Sequence, residues 1–184
     1  APLEDDFLKF IHNEAKDLKP QMLFMNELKW KYLIRNIIRG KNIMMTGPAG
    51  CGKTMAAKAA ANSIEGYTME IFNLGSTQDP RATLIGNTQF DTKKGTVFSP
   101  SPFVKVAEGV SFIASANIGN EYTATRQLDR AIVDRFQIIE MDTLTKDEET
   151  NLLQMMYPSI NISSIQSVAE ITSMTRSEVK KETP

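Results

Sequence analysis

The stretch Ile43–Ala61, IMMTGPAGCGKTMAAKAAA, decides the fold of this chain. It contains Gly47-Pro-Ala-Gly-Cys-Gly-Lys-Thr54, which has the glycine and lysine spacing of a phosphate-binding P-loop. The apolar residues before the loop predict a β-strand, and the alanine-rich residues after Thr54 predict a helix. Because the motif requires a strand before it and a helix after it, the stretch predicts an ATP-binding protein.

The residue types in the loop suit a triphosphate, whose negative charges need many donors held close together. Gly47, Gly50 and Gly52 let the backbone curl so that successive N–H groups point inward. The helix that follows presents its unpaired N–H groups, and Lys53 is expected to reach the β- and γ-phosphate oxygens. Thr54 is expected to hold Mg²⁺ through its hydroxyl. The predicted nucleotide contacts are Gly47, Pro48, Ala49, Gly50, Cys51, Gly52, Lys53, Thr54 and Met55.

Composition narrows the class of protein. With 184 residues, 41% of them apolar, the chain can form one domain, or one domain with a small appendage. It has no run of about 20 apolar residues, and its start is acidic where a secretory signal is basic, so we expect a cytosolic protein without membrane contact. The single cysteine, Cys51, excludes an internal disulfide and stands at a variable motif position without assigned chemistry. The 21 basic and 22 acidic residues disfavour nucleic acid as a partner.

Two helices are predicted before the loop. Residues 4–18 form the first, which Pro20 closes, and residues 27–39 form the second, with Gly40 as its stop. His12 has no companion of metal-ligand type and is interpreted as solvated. Trp30 is interpreted as a core residue rather than a nucleotide stacker. The two apolar faces are Phe7, Phe10 or Ile11, Ala15 and Leu18, and Trp30, Leu33, Ile34, Ile37 and Ile38.

Further strands are predicted after the loop. They are Tyr67–Leu74, a hairpin of Thr88–Phe90 and Thr96–Phe98 around Asp91–Gly95, Val110–Ala116, and Gln137–Met141. Lys93 and Lys94 at the hairpin tip are interpreted as solvated charge. Asn117 follows a strand end, where it can reach a nucleotide bound beyond the sheet, or can form a turn before Gly119.

The remainder predicts helices. One covers Thr125–Asp134, and Arg135 follows it at the join with the last strand. Thr145–Glu148 is a capping box that opens a helix to Tyr157, which Pro158 stops. Ser163 and Gln166 are expected to cap a final helix, whose packing face is Ile165, Val168, Ile171 and Met174.

Over essentially its full length the chain resembles the MoxR-like branch of the AAA+ ATPases. The P-loop is common to many nucleotide binders, whereas TLIG at Thr83–Gly86, ASAN at Ala114–Asn117 and VDRF at Val133–Phe136 point to this branch. The resemblance implies an α/β fold, a P-loop NTPase three-layer sandwich with a mostly parallel sheet, followed by a small helical lid. Residues 1–142 would form the nucleotide-binding domain and residues 143–184 a partial lid.

The resemblance also implies roles. Asn117 is similar to sensor 1, which positions the attacking water or reads the γ-phosphate. Arg135 is similar to the arginine finger that enters a neighbouring subunit's site, with Arg130 the second candidate and Arg126 the third. Without the family, Arg135 would be a helix C-terminal cation paired with Asp134 or Asp129.

The hairpin is similar to the helix-2 insert, which projects toward a central pore and is implicated in remodelling a partner. The implied protein is a Mg²⁺-dependent ATPase that forms a ring, expected to be a hexamer, and remodels a protein client. Relatives often act with a von Willebrand factor A domain protein or insert metals into a client.

Two parts of the family pattern are absent. No apolar strand ending in Asp-Glu precedes the strand of Asn117, and Arg176 lies inside a helical stretch, so it does not match sensor 2. Because the missing strand would lie inside the sheet, its loss would exceed the ~5–15 kcal/mol of ordinary domain stability. We therefore expect that about 25 to 45 residues are missing from this sequence near Phe103–Lys105. An engineered deletion is the second explanation, and true loss is the third.

Three other functions stay open. A nucleic-acid motor, of restriction or loader type, predicts salt-dependent DNA binding, which the balanced charge disfavours. A nucleotide-dependent assembly module that binds ATP without hydrolysis is favoured if the acidic strand is truly absent. A small-molecule P-loop kinase is disfavoured by the helical lid and by the Asp134-Arg-Phe136 element.

Overall fold

The computed structural model describes residues 2–72, 79, 82, 84–101, 103–104, 110–117 and 134–182. Its helices are α1 (Pro2–Lys9), α2 (Glu27–Ile38), α3 (Lys53–Ser63), α4 (Lys146–Met156) and α5 (Ile162–Glu182), with a π-helix at Phe10–Glu14. Its strands are β1 (Ile43–Gly47), β2 (Gly86–Asp91), β3 (Gly95–Pro100), β4 (Ile113–Asn117) and β5 (Gln137–Glu140).

The strand before the P-loop lies at the centre of a parallel sheet with the order β4-β1-β5. Its five residues are all buried, as expected for a parallel strand covered on both faces. Asn42 holds the start of the sheet together: its carbonyl accepts from the Gln137 N–H at 2.8 Å, and its side chain accepts from the Phe112 N–H at 3.1 Å. The fold is therefore α/β, with the P-loop at the carboxyl end of the central strand.

The hydrophobic core lies between this sheet and the helices α2 and α3. The predicted stripe of α2 is confirmed: four of its members are buried, and Ile38 packs against the core with partial exposure. The alanines of α3 that face the core are small enough to allow close approach of that helix to β1. The main members of the core are Trp30, Leu33, Ile34, Ile37, Ile43, Met45, Ala56, Ala60, Ile139 and Met141.

The segment before α2 is not the single helix that was predicted. A π-helix follows α1, and the Ala15 N–H donates to the Phe10 carbonyl at 3.0 Å across five residues. Ala15 is fully buried there, and its carbonyl accepts from the Trp30 indole N–H at 2.7 Å. Trp30 is thus a core residue, as predicted, and His12 is exposed, also as predicted. The π-helix thus ends at the residue whose carbonyl accepts from Trp30.

We expect Trp30→Phe to lower the free energy of unfolding by about 1–3 kcal/mol, because the buried Ala15 carbonyl loses its donor. Chemical denaturation measures this cost. The matched control is Tyr32→Phe, which removes a bond from the Tyr32 hydroxyl to Gln137 Oε1 at 2.6 Å in a partly buried place. The control should cost less, since water can replace that bond. Equal losses for the two variants would contradict the role assigned to burial.

The hairpin prediction is confirmed. β2 and β3 pair antiparallel from Gly86↔Pro100 to Asp91↔Gly95. The Asp91 carboxylate closes the turn, since its Oδ1 accepts from the N–H groups of Lys93 and Lys94 at 2.7 and 2.9 Å. Both lysine side chains are exposed, as expected for solvated charge.

The second predicted strand is wrong over the residues that can be tested. Residues 67–72 form no strand, while residues 73 and 74 lie outside the described residues. Among the described strands β4 has β1 as its one neighbour, so residues 67–72 have no described strand to pair with. The strand of Asn117 also begins later than predicted, at Ile113.

Two predictions fall mainly outside the described residues. The helix at Thr125–Asp134 is one, since only Asp134 is described, in a turn. The proposed missing segment near Phe103–Lys105 is the other, because residues 102 and 105–109 are not described. Both stay predictions.

Helices α4 and α5 pack against each other. The Thr145–Glu148 capping box is confirmed, but Asn161 caps α5 instead of Ser163 or Gln166, accepting from the Ser163 N–H at 3.0 Å. Arg176 pairs with the Glu149 carboxylate and thereby ties the two helices together.

The predicted packing face of α5 is wrong. Ile165 and Ala169 are buried, whereas Val168, Ile171 and Met174 are at least half exposed. The reason is geometric: three residues turn a helix by about 300°, so each step of three falls about 60° behind the previous side chain. Side chains spaced alternately four and three residues apart stay on one face of a helix. The buried face of α5 follows this spacing, starting from Ile165 and Ala169.

Within the described ranges, no helix has the length and apolar character that crossing a bilayer requires. The cytosolic location stays a prediction.

Candidate nucleotide-binding site

The P-loop connects β1 directly to α3. β1 ends at Gly47, and α3 begins at Lys53 with Gly52 as its N-cap. Gly50 and Gly52 have φ of +77° and +87°, a left-handed conformation that glycine adopts without steric cost. Thr54, in the first turn of α3, is exposed, so the helix N-terminus opens to solvent beside the loop.

Lys53 is held beneath its own loop. Its Nζ donates to the carbonyls of Gly47 at 2.8 Å and Pro48 at 2.6 Å, and to Cys51 Sγ at 3.6 Å. The side chain is 8% exposed, so the loop and helix cover its stem. An ammonium has three N–H donors, and all three have an acceptor in the loop: two carbonyls and the weak acceptor Cys51 Sγ. The geometry therefore fixes one positive charge at the loop, where an anion would need it.

The start of the loop lies against the backbone that follows β5. The Met141 N–H donates to the Thr46 carbonyl at 2.8 Å. Gly47 has φ of +142°, and a Cβ at this position would lie 2.3 Å from the Met141 carbonyl oxygen. Only glycine fits there, so the loop and the segment 141–145 are positioned together.

Asn117 lies beside the loop. It ends β4, and its register partner on β1 is Gly47, the first glycine of the motif. The side chain is half-buried. Parallel pairing of β4 with β1 is what brings the carboxyl ends of the two strands to the same edge. The structure therefore places Asn117 where the sequence predicted it, next to the P-loop; whether it contacts nucleotide stays a prediction.

Arg135 lies at the end of the sheet where the strands begin, opposite to the end that carries the P-loop. It precedes β5, whose first residue, Gln137, pairs with Ile43 at the start of β1. The length of β1 separates this end from the P-loop by about 13 Å, at about 3.3 Å per residue. Arg135 is exposed and forms no ion pair with any residue that the structure describes. It is not assembled with Lys53 and Asn117 in one chain. The other candidates, Arg126 and Arg130, lie outside the described residues.

A cleft that the sequence did not predict lies beside Met141, the residue against which Gly47 packs. Its volume is about 380 Å³, and Met141, which contacts the position of Gly47, is part of its wall. The Lys29 ammonium and the Asp142 carboxylate form an ion pair at 2.8 Å within the wall. The lining residues are Lys19, Phe24, Met25, Asn26, Lys29, Met141, Asp142, Thr143, Leu144, Thr145 and Glu148.

Sequence reasoning missed this cleft because its walls come from segments more than one hundred positions apart. The first is the connection before α2, and the second is the segment between β5 and α4. The one local signal is Phe24-Met25-Asn26, where apolar residues precede the N-cap of α2.

The described residues contain no group of three or more His, Cys, Asp or Glu side chains placed to hold a metal. Thr54 is a single hydroxyl ligand at an exposed position. This arrangement fits a metal that is carried with a phosphate ligand, since Mg²⁺ in such sites keeps waters and phosphate oxygens as its other ligands.

Comparison with known proteins finds similarity in the region that contains the P-loop. Residues 42–119 match the model of the AAA domain, dynein-related subfamily. A protein of Thauera aromatica named "Putative chaperone BssE" is 47% identical over 51 residues. That match covers 28% of this chain and 18% of the relative's length. The region 42–119 contains β1, the P-loop, α3 and β4, so the part of the chain that is similar to an AAA domain is the part that forms the α/β P-loop fold.

Proposed function

We propose that this chain is the ATP-binding module of a MoxR-like AAA+ ATPase that works as a ring and remodels a protein partner. The observation that carries the proposal is the joint placement of Lys53 and Asn117. The lysine charge is fixed under the P-loop, and the asparagine ends the neighbouring strand in register with Gly47. A positive charge can bind the phosphates, and a neutral polar group beside it can distinguish a nucleotide that has a γ-phosphate from one that lacks it.

The loop residues fit ATP with Mg²⁺. The left-handed glycines would direct backbone N–H groups toward a phosphate chain, and Lys53 would exchange its N–H contact with the weak acceptor Cys51 Sγ for the terminal phosphates. Thr54 would hold Mg²⁺, which neutralises charge on the phosphates when it is bound. The cleft would hold the purine base, because Met141 in its wall lies against Gly47 and its lining is both apolar and polar.

We propose that Arg135 acts on a neighbouring copy. At the end of the sheet where the strands begin, it cannot reach phosphates bound by its own P-loop. An exposed cation there can enter the site of the next subunit. This geometry favours a ring, for which we propose a hexamer. Residues 143–184 are proposed to form the lid. The client is a protein, with a von Willebrand factor A domain protein as one candidate.

A second function is favoured by one observation. The sequence contains no strand that ends in Asp-Glu before β4, so it has no such carboxylate to activate water. An assembly module that binds ATP and does not hydrolyse it accommodates this absence. ATP binding, phosphate release and oligomer size measured on the same preparation separate the two functions. Binding with turnover supports the ATPase, binding without turnover supports the assembly module, and no ATP binding contradicts both.

The base cleft can be tested separately from the phosphate loop. Thr143→Trp fills the cleft and should lower ATP affinity about ten-fold, as expected when a base contact is lost. Inorganic tripolyphosphate, which has no base, should bind the variant as it binds the unchanged protein. Competition against a fluorescent ATP analogue measures both affinities. The matched control is Asp147→Trp, an exposed position in α4 outside the cleft wall. Equal losses for ATP and tripolyphosphate would contradict the assignment.

A further inference from the structure

Strand β5 has one edge that no described strand covers. It is an outer strand of the sheet, whose order is β4-β1-β5. The N–H groups of Gln137 and Met141 donate to backbone carbonyls of the segment that contains β1, both at 2.8 Å. Successive residues of a strand direct their backbone groups to opposite edges, so the N–H and C=O groups of Ile138 and Glu140 point away from the sheet. An edge of this kind can accept a further strand.

A groove of about 330 Å³ lies beside this edge. Its walls come from α2 and β5, and the Tyr32 hydroxyl ties them together by donating to Gln137 Oε1 at 2.6 Å. Two apolar side chains of the lining are open to solvent, since Leu28 is 75% exposed and Ile138 is 40% exposed. The groove therefore offers apolar contact at the place where the strand offers backbone hydrogen bonds.

The charge left unpaired at this groove is negative. Its charged lining residues are Lys29 and Glu140, and the Lys29 ammonium is neutralised by the Asp142 carboxylate at 2.8 Å. The Glu140 carboxylate is exposed and forms no ion pair with any residue that the structure describes. Ile138 and Glu140 are two residues apart in a strand, so their side chains lie on one face, about 6.6 Å apart. A complementary strand would place a cation opposite Glu140 and an apolar side chain opposite Ile138.

We propose that the free edge of β5 binds an extended segment of a partner polypeptide, which adds a strand to the sheet. The segment carries a lysine or arginine two residues from an apolar side chain. Its backbone bonds to Ile138 and Glu140, its cation meets the Glu140 carboxylate, and a side chain on its other face fills the groove beside Leu28. A nucleic acid strand fits less well, because its phosphates would meet that carboxylate. The inference goes beyond the proposed function, since no P-loop residue lines the groove.

The charge preference is tested with two labelled peptides and the full chain. The first is Thr-Lys-Val-Val-Val-Lys-Thr, which reads the same in both strand directions and places a lysine opposite Glu140 when its central valine lies opposite Ile138. The second has glutamates in place of the lysines and should bind about five-fold more weakly, because like charges face each other. Fluorescence anisotropy measures both affinities. Glu140→Lys should reverse the order of the two peptides, a result that loss of folding cannot produce.

The strand addition is tested at Ile138. Ile138→Pro removes an outward N–H without taking a hydrogen bond from β1, a substitution that edge strands tolerate. It should weaken binding of the lysine peptide at least about ten-fold. The matched control, Ile138→Val, keeps the N–H and should stay within about three-fold. The thermal midpoint shows whether the sheet is intact. If the proline lowers it, Leu28→Ala, at an exposed position of α2, should still weaken binding about five-fold.

Several results would overturn the proposal. They are no binding of the lysine peptide, unchanged binding after Ile138→Pro or Leu28→Ala, an unchanged order of the two peptides after Glu140→Lys, and displacement of the peptide by an oligo-dT strand. A second copy of this chain is the other occupant to test, by sedimentation of the protein alone. Self-association that Ile138→Pro abolishes would mean that copies of this chain cover the edge, and would overturn the partner segment as well.

Discussion

Lys53→Ala is expected to lower the affinity for ATP about 10- to 100-fold. The substitution removes the one ammonium that the structure holds beneath the P-loop, between the Gly47 and Pro48 carbonyls. Hydrogen bonds from a charged donor contribute about 1.5–3 kcal/mol each, and about 1.4 kcal/mol corresponds to a ten-fold change in affinity. The loss is expected to be large because the two carbonyl oxygens would then point at the phosphates without the cation between them.

Calorimetry with a non-hydrolysable ATP analogue measures this effect, so the result does not depend on turnover. The matched control is Lys58→Ala, which removes an exposed lysine from the same helix. Alanine favours helix at both positions, so α3 itself should persist. If Lys58→Ala weakens binding as strongly as Lys53→Ala, the loss of affinity comes from removing any positive charge on α3. The assignment of the P-loop would then be wrong.

Gly47→Ala is expected to lower the free energy of unfolding by about 2–6 kcal/mol. The φ of +142° is one that L side chains rarely adopt, which costs about 1–3 kcal/mol. The new methyl would also lie 2.3 Å from the Met141 carbonyl oxygen and 3.2 Å from Cys51 Sγ. Overpacking of this kind costs about another 1–3 kcal/mol. Backbone atoms cannot rotate away as a flexible side chain can, so β5 and β1 would have to separate locally.

Denaturant unfolding tests this prediction against Gly66→Ala. Gly66 also has a positive φ, +82°, but no described atom lies within 4 Å of the place that its new methyl would take. That variant should lose only the backbone contribution, about 1–2 kcal/mol. The difference between the two variants isolates the clash with Met141. Equal losses would mean that this contact relaxes freely, and would contradict the close packing of the P-loop on segment 141–145.

Local signals predicted the parts of the chain that depend on near neighbours. The P-loop, the hairpin turn at Asp91–Gly95 and the Thr145–Glu148 capping box all appear in the structure as expected. Each is closed by hydrogen bonds over a few residues, such as those from the N–H groups of Lys93 and Lys94 to Asp91. The residues whose hydrogen bonds form each of these elements therefore lie within a short stretch of sequence.

Local signals failed where a distant partner decides the outcome. Residues 67–72 have strand composition but form no strand, and the described strands offer them no ladder partner. The periodicity before Pro20 suits an α-helix, yet residues 10–14 form a π-helix, and Ala15 after it bonds to Trp30, fifteen positions away. On α5 the apolar residues outnumber the buried ones, and only packing against α4 selects Ile165 and Ala169.

The sequence by itself determined the loop and the helix after it, because Gly50 and Gly52 adopt the left-handed conformation that the turn needs and the alanine-rich stretch favours helix. Only the tertiary structure decided what surrounds that loop. Parallel pairing brings Asn117 to Gly47 and leaves Arg135 at the opposite end of the sheet, and the chain before α2 meets the chain after β5 to make the cleft. These neighbours are distant in sequence, so no local pattern records their contact.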